Sequence, residues 1–371
     1  MLGRMDLSAR IRELAGSELD LTQVRNGLDR LLRRTIGYDL AAISTVDPST
    51  LLWTSCFVSG VDTEGSTERE SVIFEGEFRG TDVNSYARLA NAPVPVAGLH
   101  AATGGDITVA ERYEPLLSRF GICDEVRVML RSRTGCWGSL TLYRTRPSPP
   151  FSAADLDLLA GIVTPVADLL RLTLLRAALA APGGLSAPPG LLLVQPTGET
   201  VTVTDDARLW LNTLDDRDRL PSAVRAVAAA VRTGDGLARA ALPGRDGRWV
   251  MLHGSAAGEQ IAVIVEGARP AVISEVITQA YGLTPREREI TELVAQGRST
   301  RQMATRLSIS PFTVQDHLKA VYMKTGVNSR GELVATLYNR HYAPRSAVGA
   351  RPSPYGWYLD DTADPRQSRS E

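Results

Sequence analysis

Leu28, Leu31, Leu32 and Ile36 fall three and four residues apart and predict a helix near the start of the chain. The period then changes to two. Asp39–Val46 and Leu51–Val58 read as strands joined by the turn signal Asp47-Pro48-Ser49. Further on, Val126, Val128 and Leu130 alternate with Arg127 and Arg131, Arg133-Thr134-Gly135 turns the chain, and Leu140 and Leu142 alternate with Thr141 and Tyr143. Such alternation predicts strands with one apolar and one polar face. Leu156, Leu159, Val163, Val166, Leu170, Thr173 and Ala177 return to helical spacing and form one apolar seam. The seam has two readings, core packing or a homodimer coil; its place between the first segment and a linker favours the coil.

A shorter segment follows the linker. Leu191–Val194 and Glu199–Val203 read as strands around Pro196-Thr197-Gly198, a helix runs from Asp205 and Asp206 through Leu211, and Ala223–Arg239 has an Ala-rich helical pattern. Trp249–His253 and Ile261–Val265 close the segment as two strands separated by a Gly/Ala turn.

Between residues 283 and 338 four helices are legible from their ends. Thr284-Pro285-Arg286-Glu287 is a capping box with proline at the first helical position, Ile290, Leu293 and Val294 supply the stripe, and Gly297 stops the helix. Ser299-Thr300-Arg301-Gln302 opens a second helix with Met303, Ala304 and Leu307 inward. Ser310-Pro311 opens a third with Val314, Leu318 and Val321 inward, ended by Gly326. Ser329-Arg330-Gly331-Glu332 starts the fourth, with Leu333, Val334 and Leu337. Only Ser308-Ile309-Ser310 joins the second and third helices, the length a helix-turn-helix needs.

Composition sharpens this division. Residues 180–190 are rich in Pro, Gly and Ser and read as a linker; residues 346–371 have little apolar content to bury and read as a disordered tail, with Tyr355, Trp357, Tyr358 and Leu359 as a possible docking patch. Basic and acidic residues nearly cancel, at 41 against 42. By segment the balance is −5 over residues 1–280, +5 over 281–345 and −1 over the tail. A basic module on an acidic body is the footprint of a nucleic-acid reader attached to something else. Lysine is confined to Lys319 and Lys324, so residues 1–280 contain no Walker A lysine, Schiff-base lysine or receiver-domain lysine.

Leu283-Thr284-Pro285-Arg286-Glu287-Arg288-Glu289, Ile309-Ser310-Pro311, Thr313-Val314, His317 and Ser329-Arg330-Gly331-Glu332-Leu333 together resemble the DNA-binding domain of LuxR-type regulators. The first segment is similar to a GAF domain, with Cys136-Trp137-Gly138-Ser139-Leu140 as its late strand, and the second resembles a small PAS domain. The expected fold class is therefore multidomain: an α+β GAF-like sensor over 1–180, a small α+β PAS-like domain over 190–270, and an all-α four-helix LuxR-type helix-turn-helix domain over 281–343.

The LuxR resemblance implies that helix 311–325 enters the major groove and that the fourth helix is a dimer contact. It puts Gln315, Asp316 and Lys319 at the base-reading positions. Gln pairs with adenine, Asp accepts from cytosine and Lys donates to guanine. Asp316 keeps a second reading, that of an i, i+3 partner positioning the Lys319 amine. Ser299, Thr300, Ser310, Thr313, Lys324 and Arg330 lie at helix ends and suit phosphate contacts, with plain capping or solvation as the alternative for each. His317, beside the apolar face, reads as structural.

The expected partners are double-stranded DNA, RNA polymerase, a second copy of the chain and a small molecule in the sensor half. No cofactor is expected. Cys56, Cys123 and Cys136 are too few and too scattered for a disulfide framework or a zinc cluster and fit a reducing cytoplasm as small buried hydrophobes; Cys123 and Cys136 flank a hairpin and have redox sensitivity as a second reading. His100 and His253 stand alone. Residues 156–181 are strongly apolar but carry Asp157, Asp168, Arg171 and Arg176 and contain Pro165, so they read as a soluble helix with no membrane role. An enzyme or signalling adaptor with an incidental DNA module, and a sensor that binds a protein in place of a ligand, are the rival readings. No G-x-S-x-G, H-E-x-x-H or Gly-rich phosphate loop supports the first.

Overall fold

A computed structural model describes residues 4–17, 19–60, 77, 80–180, 187–195, 199–214, 220–268, 281–334, 351–352 and 358–359. The chain opens with helix α1 (Arg4–Gly16), which the sequence reading did not anticipate and which buries Leu7 and Ile11. Helix α2 (Leu21–Ile36) follows, its capping box closed by Asp20 and Gln23. Strands β1 (Leu40–Val46) and β2 (Trp53–Ser59) are joined through Asp47, whose carboxylate accepts from the Ser49 amide at 2.8 Å, the bond an Asx turn requires. After α3 (Tyr86–Asn91), β3 (Val96–Gly98) and α4 (Leu99–Ala102), short turns between residues 107 and 120 lead into the long hairpin β4 (Ile122–Ser132) and β5 (Gly135–Thr145). The antiparallel sheet has the order β2-β1-β5-β4-β3.

Helix α5 (Ala153–Ala180) contains Pro165 and lies on this sheet with α1 and α2. Val126, Val128, Leu130, Leu140 and Leu142 meet Leu159, Val163, Val166 and Leu170 of α5 in one core. Full burial of each such side chain contributes about 1.5–3 kcal/mol. The seam favoured above as a homodimer coil is therefore occupied within the chain: Leu159, Val166 and Leu170 have no solvent exposure, and they leave no apolar stripe for a partner helix. Helix α5 is long and apolar enough to cross a membrane, and just over half of its most apolar stretch is buried in the protein.

The second domain repeats the strand order. Strands β6 (Gly190–Val194), β7 (Thr200–Val203), β8 (Leu237–Pro243), β9 (Trp249–Ala257) and β10 (Gln260–Gly267) form the sheet β7-β6-β10-β9-β8. Helices α6 (Asp205–Leu211) and α7 (Ser222–Thr233) pack on it. The Ala-rich helix expected over Ala223–Arg239 ends earlier. Gly234 caps α7, Gly236 takes φ +77°, and Leu237–Pro243 becomes an edge strand paired with β9. Ala241, Trp249 and Met251 of this sheet join the core of the first domain, and the Ala241 amide donates to Asp47 at 2.8 Å, so the two sheets share an apolar and polar contact. The turn expected at Pro196-Thr197-Gly198 lies outside the described residues.

A third core holds the helical module: α8 (Pro285–Ala295), α9 (Thr300–Leu307), α10 (Pro311–Thr325) and a fourth helix described over residues 330–334. Its remaining residues, including Leu337, lie outside the described set. In the tail, Arg351–Pro352 pairs antiparallel with Tyr358–Leu359; Tyr355 and Trp357 are outside the described residues.

Candidate nucleic-acid interface

The caps fix the helical module locally. Thr284 Oγ1 accepts from the Glu287 amide at 3.3 Å while the Glu287 carboxylate accepts from the Thr284 amide at 2.8 Å. Ser299 and Gln302 repeat the exchange at 3.3 and 2.9 Å. Ser308 adopts the left-handed conformation (φ +53°) in the turn, Ile309 tucks against the third core, and Ser310 Oγ accepts from the Thr313 amide at 3.0 Å. The box expected at Ser329 is half formed. Ser329 Oγ accepts from the Glu332 amide at 3.1 Å, but the Glu332 carboxylate accepts from Asn328, one residue further back, at 2.7 Å. Each cap contributes on the order of 1 kcal/mol.

Helix α10 is sharply two-sided. Val314, Leu318 and Val321 are buried against α8 and α9, while Gln315, Asp316 and Lys319 face solvent. Lys319 Nζ lies 3.8 Å from Asp316 Oδ1, with both side chains more than three-quarters exposed. A pair so wet is worth at most about 1 kcal/mol, so it orients the amine without immobilising it. Phe312 and Met323 share this face and are each 79% exposed. His317 is half-buried beside the core.

Ser299, Ser310 and Thr313 are exposed at helix starts, and Thr300 is half-buried at the first position of α9. The two serines are caps, as expected. The Arg330 guanidinium donates to the Arg298 carbonyl and so is tied across the module. Lys324 makes a contact that was not expected. Its Nζ sits 2.6 Å from Glu287 Oε2, joining the end of α10 to the capping box of α8. An amine held by a nearly buried carboxylate has a structural role in the module, and the lysine side chain is 32% exposed. Burial opposes ionisation of Glu287, but the hydrogen bonds from Lys324 and Thr284 prevail and hold its carboxyl below the usual range. Sequence spacing could not find this pair, because the partners are 37 residues apart.

A second polar site lies in the first domain. The strand alternation predicted one polar face on the β4–β5 hairpin, and that face is also buried. Glu125 is fully buried, and Arg127 and Arg112 are 2% and 5% exposed. Arg112 donates to Glu125 at 2.7 Å and to Asp82 at 2.6 Å; Arg127 bonds Glu125 and pairs with Glu77. Arg127 also stacks on the Tyr86 ring, and Tyr86 bonds Thr141. Burial raises the Glu125 carboxyl, but Arg112 and Arg127 outweigh it and keep it ionised. For Glu77 burial prevails over Arg127 and Arg112 and pushes the carboxyl up. Arg112 Nη2 and Glu77 Oε2 are buried with no hydrogen-bond partner among the described residues. The redox reading of Cys123 and Cys136 fares differently. Burial, then the charge of Asp124, raises the Cys123 thiol, and burial raises that of Cys136, the opposite of thiolate activation. His100 donates its amide to Asp124, and His253 Nε2 lies 3.3 Å from Glu266.

Residues 282–337 match the family model described as bacterial regulatory proteins, luxR family. The same region is 52% identical over 52 residues to a Mycobacterium tuberculosis protein named as an HTH-type transcriptional regulator, covering 14% of this chain and 6% of that protein. It is 42% identical over 55 residues to the spore germination protein GerE of Bacillus subtilis, covering 15% of this chain and 74% of GerE. The chain thus spans only a small part of the length of the Mycobacterium tuberculosis protein. Among solved structures it is similar to a GAF domain/HD domain protein from Geobacter sulfurreducens, at 18% identity and a TM-score of 0.28 over 41% of this chain and 93% of that one. The capped helices, the short αL turn, the two-sided third helix and the family match agree on one statement: residues 282–337 are a LuxR-family helix-turn-helix domain.

Proposed function

We propose that the chain is a non-enzymatic, cytoplasmic, sequence-specific DNA-binding transcription regulator, with a GAF-like sensor domain, a PAS-like middle domain and the helix-turn-helix domain as its output. The observation that carries the reading is α10. One face is locked into the third core, and the other presents Gln315, Asp316 and Lys319 to solvent, as a helix in the major groove must. Gln315, Asp316 and Lys319 are the proposed base readers. Ser299, Thr300, Ser310, Thr313 and Arg330 are the proposed phosphate contacts, the hydroxyls acting in addition to their caps. The net +5 of residues 281–345 supports attraction to the duplex.

A second copy would place two reading helices on a two-fold operator, with the fourth helix as its contact. The first domain supplies the input. Among the described residues its buried charges leave a donor on Arg112 and an acceptor on Glu77 without a partner, groups that suit a small polar ligand offering both. Tyr281 packs against both the first and third cores, and Gly282 lies beside Arg171 of α5 and Thr134 of the β4–β5 turn. Signal passes through this junction: a change in the first domain moves α5 and with it the start of the helix-turn-helix domain. RNA polymerase is the protein partner such a regulator would recruit.

Selection of duplexes from a random pool by the full chain at moderate salt tests the output. The expected result is enrichment of a two-fold sequence; a pool that stays random overturns the reading. Native mass spectrometry of the full chain tests the input, with a co-purified small molecule as the expected finding.

A further inference from the structure

The residues matched to base readers leave two exposed apolar side chains of α10 unexplained, Phe312 and Met323. Phe312 is 79% exposed at the second position of the helix. We propose that Phe312 reads a thymine through its 5-methyl group and so sets sequence preference at one base pair of the target. The proposal rests on the DNA-binding reading above.

Helical geometry gives the first argument. At about 100° per residue, Phe312, Asp316, Lys319 and Met323 fall within an arc of about 60°, and Val314, Leu318 and Val321 lie on the opposite side. The phenyl ring therefore belongs to the same surface as the proposed polar readers. Phe312 and Lys319 are separated by about 10 Å along the axis, close to three base-pair steps of about 3.4 Å. If Lys319 meets a base edge, Phe312 meets another within the same groove.

Chemistry gives the second. A major groove offers hydrogen-bond donors and acceptors at every base pair, and its one apolar feature is the thymine methyl, against which a phenyl ring packs without leaving a polar atom unmatched. Position gives the third. Residues near the start of a reading helix lie deepest in the groove. Ser310 and Thr313, on either side of Phe312 in the chain, hold their hydroxyls 2.9 Å from one another, so polar groups suited to phosphate stand next to the ring. Asp316 beside it disfavours an acidic protein surface as the alternative occupant.

The test begins with the duplex selected by the full chain, in which each thymine is replaced in turn by deoxyuridine. That change deletes the methyl and keeps the pairing. One thymine in each half-site is expected to matter, its loss weakening wild-type binding by about four-fold, the contribution of one buried methyl group. Phe312→Ala should weaken binding to the thymine duplex by at least as much and be indifferent to deoxyuridine at that position. Phe312→Leu should restore part of the sensitivity. Because the ring is exposed, Phe312→Ala should melt at the wild-type temperature, so its binding reports contact and not folding. If the wild type ignores every substitution, or if Phe312→Ala remains as sensitive as the wild type, the proposal is overturned. The second result would assign the ring to a protein partner. A pool that shows no enrichment at all overturns the DNA-binding reading itself, so the two failures are distinct.

Discussion

In the first domain the sheet β2-β1-β5-β4-β3 separates an aliphatic core from a second buried layer that holds Arg112, Glu125, Arg127, Asp82 and Glu77. In the second the same order, β7-β6-β10-β9-β8, is packed by α7, whose Ala226, Val227, Ala229 and Val231 meet Val250, Leu252 and Val263. The topology is shared and the filling is not. Small aliphatic side chains fill most of one interior, in which α7 also buries Ser222 and Arg225. A charge network closes the other only in part. The difference lies in the filling: an ionic network under one sheet and mostly aliphatic packing under the other.

The largest expected effect breaks that contrast from the charged side. Glu125→Gln removes the carboxylate that holds both Arg112 and Arg127 and leaves two cations in the interior. Losing one member of a buried ionic network costs about 3–5 kcal/mol. Urea denaturation of the full chain should show that loss as a lower midpoint for the first domain. A loss below 1 kcal/mol would mean that the network is hydrated, and the contrast with the second domain would fall.

The matching change in the second domain acts by volume. A Cβ on Gly254 would stand 2.5 Å from Val227 Cγ1 and 2.8 Å from Val231 Cγ2, both on β-branched side chains with little freedom to yield. Gly254→Ala should cost about 1–3 kcal/mol by overpacking. Thermal unfolding checks it. An unchanged transition would show that α7 rides loosely on the sheet, contrary to the packing described.

These two domains also mark what the sequence reveals. Alternation located β4 and β5, yet it assigned Arg127 and Thr141 to a polar face that turns out to be interior. The second layer is built by residues 80–121 folding back over the sheet, and no period in β4 announces a cover contributed from elsewhere. Ala238, placed in the helix expected over Ala223–Arg239, misleads in the same way. Alanine favours helix locally, and pairing with β9 overrides that preference once Gly234 and Gly236 have broken the chain direction. The helix-turn-helix domain was legible nearly whole, because caps act over three or four residues and are written in the local sequence. What escaped there is the partner of Lys324, a contact between helices.

The chain's two lysines give the sharper comparison. Lys324 is bound to Glu287 at 2.6 Å, and Lys319 is loosely placed near Asp316 at 3.8 Å. Lys324→Met leaves the Glu287 carboxylate without its cation and should lower stability by about 1–3 kcal/mol. The loss should depend on pH. Glu287 has a folded pKa below its unfolded value, so its contribution is present above the ordinary carboxylate range and disappears as pH falls through the folded pKa. Wild type and Lys324→Met should therefore converge in stability in acid. The slope of DNA affinity against salt should stay at the wild-type value. A slope reduced by about 1 would return Lys324 to the phosphate contacts.

Lys319→Ala has the smallest effect on the fold and the most specific effect on binding. The side chain is 78% exposed and its pair with Asp316 is solvated, so stability should change by less than about 0.5 kcal/mol. On the selected duplex, discrimination at one base pair should fall by about 1–3 kcal/mol, while the other positions keep their preferences. Asp316→Asn then separates the two roles of the aspartate. If Asp316 only positions the amine, its replacement blurs the same base pair as Lys319→Ala, and the double variant is no worse than either. If Asp316 accepts from a cytosine, a second base pair loses its preference and the two effects add. Relaxation at every position at once would show that neither side chain touches a base edge, and the reading face would have to be moved around α10.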